Sequence, residues 1–175
     1  MMKKIIIAIL AACSVFNLFG QQFRSPDGRL AVELSCAEGQ PAYTLTYDNT
    51  PSIVSSSLGL VLDCADFSKN LSIDKDGIRI DTVQVEYRLG KIKKSKVSHK
   101  SVEAVVPFTS AGKPAFDLIL HISDNDLAFK YRISRIGDHR IAQVREECTS
   151  FVFPDGSTTF LCPASTPMGG WKRTW

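Results

Sequence analysis

Apolar residues recur at every second position through most of this chain, and that period constrains its fold more than any other feature. Leu30, Val32, Leu34 and Cys36 alternate with polar or small neighbours. So do Tyr43, Leu45 and Tyr47, then Leu58, Leu60 and Leu62, then Val83, Val85 and Tyr87. Val102, Ala104 and Val106, Phe116, Leu118 and Leu120, and Leu127, Phe129 and Tyr131 continue the pattern. A period of two places one set of side chains on one face of a strand. Between the sets stand turn-forming runs: Glu38-Gly39-Gln40-Pro41, Asp48-Asn49-Thr50-Pro51, Asp74-Lys75-Asp76-Gly77 and Ser123-Asp124-Asn125-Asp126. Val144 to Phe153 and Thr158 to Cys162 flank a further turn, Pro154-Asp155-Gly156. No segment carries a helical period. Short strands at regular spacing predict an all-β, antiparallel sandwich.

The first twenty residues obey a different rule. Lys3 and Lys4 precede an apolar run from Ile5 to Phe19, and Gly20 stands before the polar pair Gln21-Gln22. A charged start, an apolar centre and a small-residue exit predict a signal peptide over residues 1–20 and a mature domain over 21–175. The run is too short for a comfortable transmembrane helix, and no later one is longer. Leu10-Ala11-Ala12-Cys13 also has the form of a lipobox. Cleavage near Gly20 would release the chain into the periplasm. Lipidation of Cys13 would tether it to a membrane. The apolar character continuing through Val15, Phe16, Leu18 and Phe19 favours Gly20.

The formal charge is +3, and Lys3 and Lys4 leave with the leader. The remaining basic excess lies between Arg88 and Lys100 and does not point to nucleic acid. Lys91, Lys93, Lys94 and Lys96 fit a solvated edge or hairpin, where lysines discourage sheet-to-sheet association. Cys36, Cys64, Cys148 and Cys162 remain after the leader, without zinc-site spacing. If Pro154-Asp155-Gly156 is a three-residue loop, Phe153 opposes Ser157 and, counting outward, Cys148 opposes Cys162. That register permits a disulfide; two free thiols are the alternative.

No catalytic constellation emerges. Hydrolysis by paired carboxyl groups needs two of them facing each other about 5–10 Å apart. Glu146 and Glu147 are adjacent, so on a strand they point to opposite faces. Asp124 and Asp126 share a turn, where such side chains cap backbone groups. Asp63 and Asp66 flank Cys64 without an evident partner. His99, His121 and His139 are scattered, with His121 in a strand as a structural residue. There is no nucleophile elbow and no glycine-rich phosphate loop.

Several stretches together resemble the N-terminal domain of glycoside hydrolase family 97, whose members include α-glucosidases and α-galactosidases. They are Ser25-Pro26-Asp27-Gly28-Arg29-Leu30, Pro41 to Asp48 leading to Leu58-Gly59-Leu60, Asp124 to Arg132, Glu147-Cys148-Thr149-Ser150-Phe151, and Pro167-Met168-Gly169-Gly170-Trp171-Lys172-Arg173-Thr174. The last is the most specific. A family stretch bearing tryptophan is replaced here by Tyr87-Arg88-Leu89-Gly90-Lys91, and Leu127 stands where glycine is common.

The resemblance implies a galactose-mutarotase-like β-super-sandwich, incomplete at Trp175, from a truncated glycoside hydrolase. In the family a glutamate that binds calcium follows the Gly-Trp-Lys-Arg-Thr segment. A (β/α)8 catalytic barrel and a smaller β domain come after it. The implied partners are that barrel and an oligosaccharide with α-glycosidic bonds. No cofactor is expected within residues 1–175, and the segment should scaffold the barrel without catalysing. Trp171, Lys172 and Arg173 are the candidate substrate-binding residues, since indoles stack on sugar faces and cations bond hydroxyls. Packing of Trp171 at an interdomain interface is the competing role. A stand-alone carbohydrate-binding or cell-surface sandwich, or an adhesion module, is the alternative function.

Overall fold

The computed structural model describes residues 20–90, 96–139 and 141–158. Twelve strands follow in chain order: β1 (Gln21–Arg24), β2 (Leu30–Ala37), β3 (Gln40–Tyr47), β4 (Thr50–Ser57), β5 (Leu60–Leu62), β6 (Asp66–Phe67), β7 (Leu71–Ile73), β8 (Arg79–Arg88), β9 (Lys96–Ser110), β10 (Lys113–Ile122), β11 (Leu127–Ile133) and β12 (Val144–Glu147). No helix occurs among the described residues, so none there is long and apolar enough to cross a membrane. The chain is all-β, as its period predicts.

β1 to β4 form one antiparallel sheet in sequence order. The second sheet has the order β11-β10-β9-β7, with β8 also paired to β9. A small third sheet, β12-β5-β6, sits beside them. The tight hairpins follow from local chemistry. Glu38-Gly39, Asp48-Asn49 and Ala111-Gly112 all hold positive φ at both central positions. Such two-residue turns match the right-handed twist of their flanking strands.

The two large sheets share one core. Phe23, Leu30, Val32, Leu34 and Tyr43 from the first meet Val106, Phe108, Phe116, Leu118, Leu120 and Ile122 from the second. Phe116 lies at its aromatic centre, stacked on Phe108 at 4.9 Å and edge-on to Tyr131 at 5.2 Å. Each such side chain contributes about 1.5–3 kcal/mol on burial. On the outer face of the second sheet, His121 pairs with Glu103 at 3.2 Å and Arg132 with Asp117. His121 thus takes the structural role expected of it.

Three expectations change. Thr50-Pro51 is not turn but the start of β4, a strand with few apolar residues that bonds along both edges. The strand expected from Val144 ends at Glu147; the chain continues to Val152 as an irregular bonded segment. Val83, Val85 and Tyr87 do alternate on a strand, but not a half-buried one. β10 pairs with β9 only as far as Val102, so Val83–Arg88 and Lys96–Ser101 pair with each other alone. They form a ribbon standing beyond the sandwich. Lys96 is on it, as expected of a hairpin, while Lys91, Lys93 and Lys94 lie outside the described residues.

Candidate functional site

The segment from Val144 to Val152 sews the small sheet to the first large one. β12 runs antiparallel to β5, with Val144 opposite Leu62 and Glu147 opposite Leu60. The Cys148 amide then donates to the Gly59 carbonyl at 2.9 Å, and the Ser150 amide to the Ser57 carbonyl at 3.1 Å. Val54 donates to the Val152 carbonyl at 2.9 Å, and the Val152 amide to Ser56 Oγ at 2.9 Å. Ser57 Oγ donates to the Cys148 carbonyl at 2.7 Å. This strip supplies the second edge of β4 and explains how a strand with serines at 52 and 55–57 can hold.

Two tyrosines clamp the strip from the core. Tyr43 Oη donates to the Ser150 carbonyl at 3.0 Å. Tyr131 Oη accepts the Gly59 amide at 3.0 Å and lies 2.9 Å from Thr149 Oγ1. Burial pushes both phenols above their ordinary pKa, so both stay neutral. Gly59 is forced to be glycine: its φ is +132°, and a Cβ there would stand 2.6 Å from the Phe67 carbonyl oxygen.

The strip's backbone is fastened, but its side chains stay exposed among the described residues. Phe151 is 58% exposed, Val144 and Phe153 49%, and the preceding Ile141 86%. Among the described residues, only Phe151 of these has an aromatic neighbour, Tyr43 at 6.4 Å. Contiguous exposed apolar side chains on a rigid support mark a contact surface. Chemically the strip offers apolar area flanked by the exposed Glu146 and Glu147.

The other residues singled out from sequence have structural partners. Asp124 Oδ1 accepts the Asp27 amide at 3.1 Å, tying the two sheets together rather than capping its own turn. Asp27 Oδ1 in turn accepts from Ser25 Oγ at 2.6 Å and the Arg29 amide at 3.0 Å, which hold its carboxyl below the usual range. The Asp126 carbonyl accepts the Ser123 amide. Asp63, expected to have no partner, accepts the Gln143 amide at 3.0 Å. Asp66 accepts from Ser68 Oγ at 2.6 Å and its amide at 3.0 Å. With Lys69 beside it, its pKa falls to about 2.

Cys148 is a half-buried free thiol whose pKa burial raises. Cys162, Trp171, Lys172 and Arg173 lie outside the described residues. The turn before them closes through the Ser157 amide and the Pro154 carbonyl at 3.1 Å, with Gly156 at φ +81°. A positive φ at the third residue alone fits a type II turn, which splays strands apart. No three His, Cys, Asp or Glu side chains among the described residues converge on a metal-sized site.

Sequence reasoning missed both tyrosine clamps. The available signal was a ring with a polar handle at alternating core positions Tyr43 and Tyr131.

A family model described as Glycosyl-hydrolase 97 N-terminal matches residues 23–174. The crystal structure of a beta-arabinopyranosidase is 33% identical over 89% of this chain, with a TM-score of 0.77. A glycoside hydrolase family 97 enzyme from Pseudoalteromonas sp. strain K8, solved as an E480Q variant with panose and also with acarbose, is 20% identical over 77% of the chain, with a TM-score of 0.70. That likeness shows the fold. The chain spans 24% of the length of the first and 20% of the second. No curated protein matches.

Proposed function

Because the chain belongs to the glycosyl-hydrolase 97 N-terminal family, we propose that it is the non-catalytic front domain of an exported glycoside hydrolase. In this reading the enzyme cleaves α-glycosidic bonds of oligosaccharides, and the sandwich scaffolds its (β/α)8 barrel. The carrying observation is the uncovered apolar strip Ile141, Val144, Phe151, Val152 and Phe153 on a backbone clamped from both sides. A rigid apolar face is suited to a permanent interface, because little entropy is lost on docking. Panose and acarbose, bound by the Pseudoalteromonas enzyme, support an oligosaccharide as the substrate class. The basic, apolar leader supports export, with maturation at Gly20 and Cys13 lipidation as the alternative exit.

Three measurements test this. Purified residues 21–175 should not hydrolyse an aryl α-glucoside; turnover would refute a non-catalytic role. Genomic DNA beyond codon 175 should continue in frame into a barrel; an in-frame stop would refute the scaffold role. The mass of the mature N-terminus reads the export route. An unmodified chain beginning near Gln21 is expected, and a diacylated cysteine would move the protein to a membrane.

A further inference from the structure

The Glu33 side chain lies across Gly20. A Cβ on Gly20 would stand 2.5 Å from Glu33 Cγ and 2.8 Å from its carboxyl carbon. The ladder explains the contact. β1 pairs with β2 so that Gln21 is opposite Leu34 and Gln22 opposite Glu33. Cross-strand partners share a face, and faces alternate along a strand. Leu34 and Phe23 face the core, so Glu33, Gln22 and Gly20 share the outer face, and Glu33 leans along β1 toward its start. Glu33 is exposed. Among the described residues it has no cation at ion-pair distance.

The nitrogen of Gln21 follows one bond after the Gly20 carbonyl carbon. Standard bond lengths therefore put it no more than about 7 Å from the Glu33 carboxyl carbon. A glutamate side chain can close that gap by rotamer change alone. In the uncut chain this nitrogen is a neutral amide. Hydrolysis of the Gly20–Gln21 bond changes it. The carbonyl carbon takes the oxygen of water and leaves as a carboxylate, and the nitrogen takes the protons and becomes an α-ammonium.

We propose that the Gln21 α-ammonium pairs with Glu33, so that processing itself fastens β1 to β2. This rests on the maturation at Gly20 proposed above. The strand needs such a fastening: β1 is four residues long, lies at the edge of its sheet, and buries only Phe23. Short chain ends fray unless tied down. The other charges around the pair are few. Lys75 lines the same cavity as Gly20 and repels the ammonium. Arg24, on β1 itself, is engaged by the Gly28 carbonyl and Gln22 Oε1. Thr44, opposite Glu33 on β3, is uncharged. A neighbouring carboxylate favours the protonated amine. The fastening is therefore complete below the ordinary α-amino value and lost as pH rises through the raised one.

Residues 21–175, released from a cleavable fusion with Gln21 first, test the pair. Only the neutral amine is acylated, so the pH dependence of acylation, read by mass spectrometry of the amino-terminal peptide, reports its protonation. The half-maximal pH should lie above the ordinary value of about 7.7–8.0. Glu33→Gln should return it to that range, and Lys75→Gln should raise it further. Both side chains are exposed, so far-UV circular dichroism should be unchanged; if Glu33→Gln unfolds, Lys75→Gln carries the test. An ordinary half-maximal pH in the parent chain, or no response to either variant, would overturn the pair. So would closure of Gln21 to a lactam, in which the amine attacks its own side-chain amide carbon and ammonia leaves, because the charge is then gone. The mass of the exported protein separates the two readings. A first residue other than Gln21 refutes the maturation and the pair together, whereas Gln21 with an ordinary amine refutes the pair alone.

Discussion

Tyr131→Phe removes one oxygen atom and tests whether the strip is held from the core. The ring contacts with Phe116 at 5.2 Å and Phe129 at 6.3 Å survive. Two bonds do not: the Gly59 amide at 3.0 Å and Thr149 Oγ1 at 2.9 Å. Thr149 is half-exposed and can rebond to water, so its loss costs little. Gly59 is buried, and its amide is left without a partner. An orphaned buried donor costs about 1–3 kcal/mol. We take about 2 kcal/mol for the substitution as a whole. For a domain of this size each kcal/mol lowers the melting temperature by about 2–4 °C, giving a fall of about 4–8 °C. Thermal unfolding followed by circular dichroism reads this. Thr149→Ala should cost much less, and the double variant should cost hardly more than Tyr131→Phe alone. A drop under about 1 °C would show that the amide finds water, and that Tyr131 does not clamp the strip.

Four further outcomes follow from the same geometry. Gly59→Ala drives a Cβ to 2.6 Å from the Phe67 carbonyl oxygen at a φ unsuited to alanine; it should cost more than about 3 kcal/mol and reduce the soluble yield. Ala111→Asn replaces a residue strained at φ +48° with one that tolerates it, and should raise the melting temperature slightly. Asp66 has its folded pKa held near 2 by Ser68 and Lys69. Its contribution is therefore complete above the unfolded value of about 3.9 and is lost as pH falls through about 2. Stability against urea should decline over that window, and less steeply in Asp66→Asn. Thiol titration of unfolded residues 21–175 tests the Cys148–Cys162 pairing: a bridge leaves two reactive thiols, and four would remove it.

Alternation named the strands that line the core, because burial on one face must write a period of two into the residues that face it. β2, β3, β9, β10 and β11 were legible for this reason, and so was the sandwich. β4 was not, since its stability comes from hydrogen bonds on both edges, which constrain backbone rather than side-chain type. The same holds for the strip from Cys148 to Val152, whose partners Gly59, Ser57 and Val54 lie about ninety residues earlier in the chain. Nor could a local pattern tell Val32 from Val85: both alternate, yet the first is fully buried and the second half exposed. The motifs that carried the family resemblance are local strings and could be read directly. Their roles could not, because Asp124 ties to Asp27 and Tyr131 to Gly59 only once two sheets stack. By itself the sequence determined which strands line the core and to which family they belong. The tertiary structure decided which faces found a partner, since burial belongs to the packed sheets together and to no strand alone.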